Sequence, residues 1–144
     1  MKRFTFLAVC FWATIQLAAA QIIPSGTILV VQTNHTISSR NRVGAIFTGR
    51  LSRDVSVRRD VLLRSGTRVN GRVADASRDS YIIALDITHL LHNGRWIPIR
   101  TVEASRQKGI RATSRQGEPA SSVQVPSGTT MEFKLAQPLD LGPR

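Results

Sequence analysis

The chain has 144 residues, of which 42% are hydrophobic and 6% are aromatic, and its formal net charge is +11. This length suits one domain, and this composition excludes both a disordered chain and a protein with many membrane spans. Because aromatic side chains are few, Val, Ile and Leu must supply most of the core.

The first 20 residues carry the features of a signal peptide in the required order. Lys2 and Arg3 give a basic start, residues 4–17 are apolar, and Ala18 to Ala20 form a small-residue cleavage site. We therefore predict a signal-peptide helix over residues 1–20, cleaved between Ala20 and Gln21. The protein is then exported by the Sec route to the periplasm or the medium, and the mature chain has no membrane span.

Two alternatives exist for this segment. An uncleaved anchor is less favoured, because the apolar stretch is short for a membrane span. Lipidation at Cys10 is less favoured, because Val9 is a poor residue before such a cut. Cys10 is the only cysteine of the chain, so the mature domain, residues 21–144, contains no disulfide. Its stability must come from burial and from hydrogen bonds between strands.

The positive charge lies mostly in the mature domain. The chain has 20 Lys and Arg residues against 9 Asp and Glu residues, and only Lys2 and Arg3 leave with the signal peptide. Such a surplus favours anionic partners such as nucleic acid, lipid headgroups or an acidic protein. A genome that favours arginine codons would give the same composition, and the arginines are scattered along the chain.

The first half of the mature domain shows strand patterns. Thr27 to Gln32 is a nearly continuous apolar run, which predicts a strand buried on both faces. Phe47 and Leu51 lie on one side of a second strand within residues 45–55. Val69, Gly71 and Val73 then alternate with polar neighbours.

The second half continues this period of two. Tyr81 to Leu90 predicts a strand, and the turn that follows, with Asn93 and Gly94, indicates a hairpin. The returning strand, Arg95 to Ala104, contains Pro98, which belongs at a sheet edge because it lacks an N–H donor. We therefore predict an all-β fold, a single small barrel or sandwich of about seven to eight short strands. We expect one shared core, formed by Phe47, Val73, Tyr81, Ile83, Leu85, Ile87, Met131, Phe133 and Leu135.

A short phrase precedes three of these strands. It reads Ile23-Pro24-Ser25-Gly26-Thr27, then Leu63-Arg64-Ser65-Gly66-Thr67, then Val125-Pro126-Ser127-Gly128-Thr129. Where proline is present, it suits position i+1 of a type I turn, and the glycine suits position i+3. The backbone N–H groups of such a loop can also cradle an anion. We favour a chain-reversing turn, because no lysine or cation ligand accompanies each copy.

One long segment lacks any periodicity. Residues 106–122 are rich in Arg, Gln, Ser, Gly and Ala, and predict a flexible basic loop. We expect the fold to tolerate shortening of this loop. Its basic side chains are the candidate anion-binding residues: Arg106, Lys108, Arg111 and Arg115.

The sequence offers no catalytic set. His35, His89 and His92 lack metal-ligand spacing, and a zinc pair at His89 and His92 is not favoured because the two straddle a strand end and its turn. None of the common nucleophile, phosphate-loop or dinucleotide motifs occurs. We therefore expect no enzymatic activity, no cofactor and no metal.

The order of these motifs resembles the C-terminal β-barrel domain of the conjugation TrbI family, the scaffold subunit of type IV secretion channels. It is more similar still to small exported bacterial proteins that carry this barrel alone. The resemblance rests on short turns and apolar patterns across the mature chain: Ile23 to Val31, Thr36 to Ser39, Ala45 to Leu51, Leu62 to Thr67, Val69 to Val73, Val125 to Thr129 and Leu139 to Leu141. It implies a rigid barrel of the bacterial cell envelope that docks another envelope protein or a second copy of itself.

The chain departs from that family where the channel subunit inserts its apolar helical hairpin. Residues 106–122 occupy this place in the order, and their basic side chains cannot line a lipid-facing helix. The pore-forming role is therefore not carried over. The sequence favours a non-catalytic structural or interaction module of the envelope. An alternative is a protein that binds an anionic ligand, such as nucleic acid or an acidic surface, through its arginine-rich face. A third is a β-clip domain like those of exported pilus and flagellar assembly factors.

Overall fold

The computed structural model describes residues 20–40, 42–77, 81–111 and 123–143, and every regular element in these ranges is a β-strand. The predicted signal-peptide helix falls on residues outside them. No helix long and apolar enough to cross a bilayer occurs in the described ranges. The strands are β1 (Ile22–Ile23), β2 (Ile28–Thr33), β3 (Ile37–Ser38), β4 (Ile46–Leu51), β5 (Val55–Val57), β6 (Asp60–Leu63), β7 (Arg68–Ser77), β8 (Ile82–His92), β9 (Arg95–Pro98), β10 (Ser105–Lys108), β11 (Ile110–Arg111), β12 (Val123–Val125), β13 (Thr130–Lys134) and β14 (Leu139–Asp140).

The largest sheet has seven strands in the order β10-β8-β7-β4-β2-β13, with β9 also paired to β8. Its two ends are joined by the segment that follows β9. There the Val102 N–H donates to the Lys134 carbonyl at 2.9 Å, and the Ala136 N–H donates to the Arg100 carbonyl at 2.9 Å. These bonds curl the sheet into a barrel-like shape. The predicted all-β class is confirmed, although short additional strands raise their number above the expected seven or eight.

Two distant segments of the chain, residues 21–39 and 123–141, pair with each other along their whole length. Ile22 lies opposite Asp140, Val31 opposite Met131, and Val125 opposite Ile37. Three strand pairs, β1 with β14, β2 with β13 and β3 with β12, therefore follow one register. Because both segments contain the Pro-Ser-Gly-Thr phrase, the sequence repeat becomes an approximate two-fold relation in the fold.

The three Ser-Gly-Thr phrases form the same turn, but it is not the predicted type. The N–H of each threonine lies within 3.4 Å of the carbonyl oxygen three residues earlier, so Pro24, Arg64 and Pro126 stand at position i. Each glycine follows at position i+2 with φ of 82° or 83°, which defines a type II turn. The prediction of a type I turn with proline at i+1 is therefore wrong. Glycine decides the geometry here, because it adopts positive φ without steric cost.

The predicted core is confirmed. Phe133, Met131 and Leu135 are each 1% exposed and belong to one buried cluster with Phe47 and Val73. Tyr81 is partly buried against this cluster, whose other predicted members are Ile83, Leu85 and Ile87. Alternation along β13 and along stretches of β7 and β8 explains the success, because every second side chain there faces the interior, and bulges interrupt the pattern between β7 and β8.

Two strand predictions need correction. In the run Thr27 to Gln32, Leu29 and Val31 face the core and Val30 is also covered, but Ile28 is 46% exposed, so the strand is not buried on both faces throughout. The strand predicted over Arg95 to Ala104 ends at Pro98. The Ile99 N–H still donates to the Thr88 carbonyl of β8, and the chain then bridges to Leu135, directly after β13, through Thr101. Strand β9 is an edge strand, as Pro98 predicts.

The predicted flexible loop is corrected for residues 106–111. Strand β10 pairs with β8, with Arg106 opposite Ala84, and β11 pairs with β12. The remaining residues, 112–122, lie outside the described ranges. Strand β10 carries only polar and charged side chains, so it lacks the apolar alternation by which a strand is predicted. Shortening the chain from Arg106 onwards would remove paired strands, which argues against the expected tolerance to shortening.

Candidate anion-binding surface

The Ser-Gly-Thr turns are poor anion cradles, because the N–H groups of their glycine and threonine residues already have partners. The Gly26, Gly66 and Gly128 N–H groups donate to carbonyls of neighbouring strands at 2.7–2.8 Å. The threonine N–H groups close the turns themselves. In the second turn the Ser65 N–H also donates to Asp54 Oδ1 at 2.7 Å. The turns therefore serve to hold strand ends together.

The candidate residues from the sequence are only partly brought together. Arg106 and Lys108 are exposed and lie two positions apart, on the same face of the edge strand β10. Arg111 lies in β11, which belongs to a separate three-stranded sheet with β12 and β3. Arg115 lies outside the described residues. The four residues thus do not form one described group.

The histidines do not form a metal site either. His89 and His92 both belong to β8, and their separation of three positions places them on opposite faces of that strand. Across the described ranges, no three His, Cys, Asp or Glu side chains come together as a metal site requires.

A row of side chains that the sequence did not indicate crosses the outer face of the large sheet. Gln32 lies opposite Arg50, Arg50 lies opposite Arg68, and Leu91 lies opposite Trp96. Val69 lies opposite Leu90 in the antiparallel pair of β7 and β8. Their chain neighbours Arg68 and Leu91 therefore also lie side by side, and they join the two parts of the row. We call this row, formed by Gln32, Arg50, Arg68, Leu91 and Trp96, the arginine ridge.

The ridge faces outward because its chain neighbours fill the core. Val31, Leu51, Val69 and Leu90 are at most 2% exposed, and alternation turns the next residue of each strand to the surface. The polar and charged members of the ridge and Trp96 are accordingly exposed, whereas Leu91 is half-buried. The arrangement is thus fixed by the packing of five strands.

A second outward row lies beside the ridge and contains no Arg, Lys, Asp or Glu. It consists of Thr48 opposite Asn70, Asn70 opposite His89, and His89 opposite Pro98. We call these residues the polar row. The ridge and the polar row together make a surface without carboxylates that spans the β4, β7, β8 and β9 strands.

The electrostatics of the ridge are unbalanced. Arg50 and Arg68 stand directly opposite each other, and like charges in this position destabilise a sheet. The one ion pair among the described residues joins Arg72 to Asp86, at 3.7 Å, in a different row. The two ridge guanidinium groups therefore face solvent without a carboxylate partner in the described ranges.

A short hairpin adds further arginines beside the ridge. Strands β5 and β6 are anchored by buried Val55 and Leu63, and the exposed turn between them is formed by Arg58 and Arg59. These two residues have φ of 51° and 73°, the left-handed values of a type I′ turn. In residues other than glycine, asparagine or aspartate such backbone strain costs of order 1–3 kcal/mol each, and it is often found at functional sites.

The hairpin is held next to the ridge by the second turn. Gly66 donates to the Leu51 carbonyl at 2.7 Å, and the Leu51 N–H donates to the Thr67 carbonyl at 2.9 Å. Leu51 directly follows ridge residue Arg50. We call the arginines of this hairpin and its flanks the arginine hairpin: Arg53, Arg58, Arg59 and Arg64.

One local signal for this region was present in the sequence. Residues 50–68 hold six arginines against two aspartates, and two short apolar runs there flank Arg58-Arg59-Asp60 as in a hairpin. The ridge itself had no such signal, because its members come from distant strands and meet only through the sheet register.

Comparisons with protein-family models and with curated proteins found no significant match. The fold and the surface therefore define the class: an all-β, barrel-like domain that carries an exposed arginine surface on one side.

Proposed function

We propose that the protein is a non-catalytic binding module of the bacterial cell envelope, which docks an anionic partner on the arginine ridge and the arginine hairpin. The observation that carries this proposal is the pairing of Arg50 with Arg68, without a carboxylate in the ridge or in the polar row. An anionic ligand would relieve the repulsion between the two guanidinium groups.

Arginine suits this role for geometric reasons. Its planar guanidinium binds phosphate, sulfate and carboxylate groups through two parallel hydrogen bonds, and it always carries its charge. The ridge arginines stand on paired strands over a buried core, so their backbone loses little freedom on binding. A rigid display of this kind favours affinity at low entropic cost.

The placement in the envelope is supported by the signal-peptide features of residues 1–20 and by the resemblance to the TrbI barrel. In that family the barrel is a scaffold within a larger assembly. For this chain we propose the docking role of the barrel alone, without the channel-forming insertion. The partner is then an envelope component with an acidic surface or a polyanion.

A second candidate function is self-association through strand edges. In the described ranges β3 and β11 each pair only with β12, and β5 and β6 pair only with each other, so each has an open edge. Open edges can pair with a second copy of the chain. This association would depend little on salt, which separates it from docking by charge.

Heparin, a sulfated polyanion, tests the proposed function. The double variant Arg50→Gln/Arg68→Gln is expected to lower heparin affinity about tenfold and to reduce the salt slope by roughly two ion contacts. The matched control Arg106→Gln/Lys108→Gln removes the same charge from β10 and should leave affinity nearly unchanged. Titration calorimetry at several salt concentrations measures both.

Equal losses of heparin affinity in the two double variants would contradict the proposal, because binding would then depend only on the net charge of the protein. A loss only in the β10 variant would assign the site to the residues that the sequence suggested. Absence of heparin binding together with salt-insensitive dimerisation in sedimentation would replace docking by self-association.

Processing gives a separate prediction. We expect the exported protein to begin at Gln21, because peptidase cleavage follows a small-residue site. In the fold the Gln21 N–H lies 3.3 Å from the Gly142 carbonyl, and β1 begins at the next residue. Intact mass of the protein from the exported fraction measures the cleavage site. A membrane-bound product that retains residues 1–20 would contradict the prediction.

A further inference from the structure

We infer that the arginine ridge is a binding site for single-stranded nucleic acid, in which Arg50 and Arg68 contact backbone phosphates and Trp96 stacks on a base. This inference rests on the proposed function and adds the class of ligand. It combines two features that occur in one row: a pair of guanidinium groups without carboxylate partners and an exposed aromatic ring.

Trp96 is placed for stacking. It is 46% exposed on the edge strand β9, and it lies opposite Leu91, which is half-buried. A single exposed apolar side chain is common on protein surfaces and indicates nothing alone. Here the indole continues a row that contains two arginines, and this combination of cations and an aromatic platform is typical of single-strand binding surfaces.

The spacing of the ridge residues fits an extended single strand of nucleic acid. Neighbouring β-strands lie about 4.8 Å apart, so Arg50 and Arg68 are separated by about one such step and Trp96 lies about two steps beyond Arg68. One nucleotide chain laid across the strands would therefore reach both guanidinium groups with its phosphates and the indole with a base. The polar row offers Thr48, Asn70 and His89 alongside, with hydrogen-bonding groups for base edges.

A nucleic-acid duplex and an anionic lipid surface would each make fewer contacts with the ridge than a single strand. In a duplex the bases are stacked inside, so Trp96 would lack a base to stack on. A lipid surface calls for apolar side chains that enter the acyl region. The tip of the arginine hairpin presents Arg58, Arg59 and Asp60 instead. The arginine hairpin would add long-range attraction for the nucleic-acid backbone.

The test measures binding of the purified protein to a fluorescein-labelled oligothymidylate of about 20 nucleotides by anisotropy, beside a duplex of the same length. Trp96→Ala is expected to weaken single-strand binding roughly fivefold to 150-fold, without changing the salt slope. Arg50→Gln/Arg68→Gln should lower the slope of log K against log salt by about 1.4, the value for two single-strand phosphates.

Two further variants control for folding and for charge. Trp96→Phe keeps an aromatic face and should retain most of the affinity. Arg72→Gln removes one arginine from the row that contains Asp86, and should change the salt slope little. Trp96 is the only tryptophan of residues 21–144, so quenching of its fluorescence by the oligonucleotide reports stacking directly.

Several outcomes would overturn the inference. They are tighter binding to the duplex, unchanged affinity of Trp96→Ala, and no quenching of Trp96 at saturation. If any of these occurs while heparin binding still depends on Arg50 and Arg68, the docking function stands and only the ligand class is wrong. If neither heparin nor the oligonucleotide binds, the proposed function fails as well.

Discussion

Replacement of Phe133 by alanine is expected to lower the free energy of unfolding by about 3–5 kcal/mol. Phe133 is 1% exposed and lies opposite Leu29, in the pair of strands where the two distant chain segments meet. Truncation removes buried apolar surface and leaves a cavity that rigid neighbouring strands cannot fill. Urea unfolding followed by circular dichroism measures the loss.

The adjacent residue provides the control. Lys134 is exposed on the opposite face of β13, and Lys134→Ala should cost less than about 0.5 kcal/mol. Similar losses for the two variants would contradict the assignment of the faces of β13, and with it the register between β2 and β13.

Gly71→Ala is expected to destabilise the fold by about 2–3 kcal/mol, although the same change at an uncrowded site often stabilises a protein by 0.4–1 kcal/mol. A Cβ atom at Gly71 would overlap the Phe47 ring and lie 2.5 Å from the Asp86 carbonyl oxygen. The ring is 2% exposed and has little room to move, and the carbonyl belongs to the neighbouring strand. Steric overlap therefore outweighs the entropic gain.

Arg72→Ala is the matched control for this variant, because Arg72 follows on the same strand and is exposed. Its weak ion pair with Asp86 at 3.7 Å should contribute less than about 1 kcal/mol. Thermal and urea unfolding of both variants measure the difference. A more stable Gly71→Ala protein would show that Phe47 does not lie over this glycine.

The sequence predicts the core of this fold better than its edges. Phe47, Val73 and Phe133 were placed correctly, because alternation on strands with one buried face is a local signal. Strand β10 was missed because its residues, Ser105 to Lys108, include no apolar side chain. The turn type was missed because the position of glycine within the turn depends on which N–H closes it.

One part of the arginine surface has a local sequence signal, and the other part does not. The cluster of arginines around Arg58 and Arg59 is visible in the sequence, as is the separate basic stretch around Arg106 that the sequence pattern favours. The ridge could not be found locally, because Arg50, Arg68 and Trp96 become neighbours only through strand register. Register is fixed by the whole sheet, and a shift of one residue would turn every side chain to the other face.

The pairing of residues 21–39 with residues 123–141 has a consequence for the order of folding. A chain that leaves the ribosome or a translocon with its N-terminus first presents β2 long before β13 exists. Strands β4, β7 and β8 can pair as they emerge, but one edge of β2 stays open until β13 arrives. An open apolar edge of this kind is exposed to aggregation while it waits.

Pairing of residues 21–39 with residues 123–141 is therefore expected late in folding, and it joins the most distant contacts in the chain. Such contacts carry the largest loop-closure entropy, so this step should set the folding rate. The repeated turn contributes to this pairing, because the turn glycine of each segment donates to a carbonyl of the other segment: Gly26 to Leu135 and Gly128 to Thr33. The same type II turn thus fixes both segments at the point where they pair.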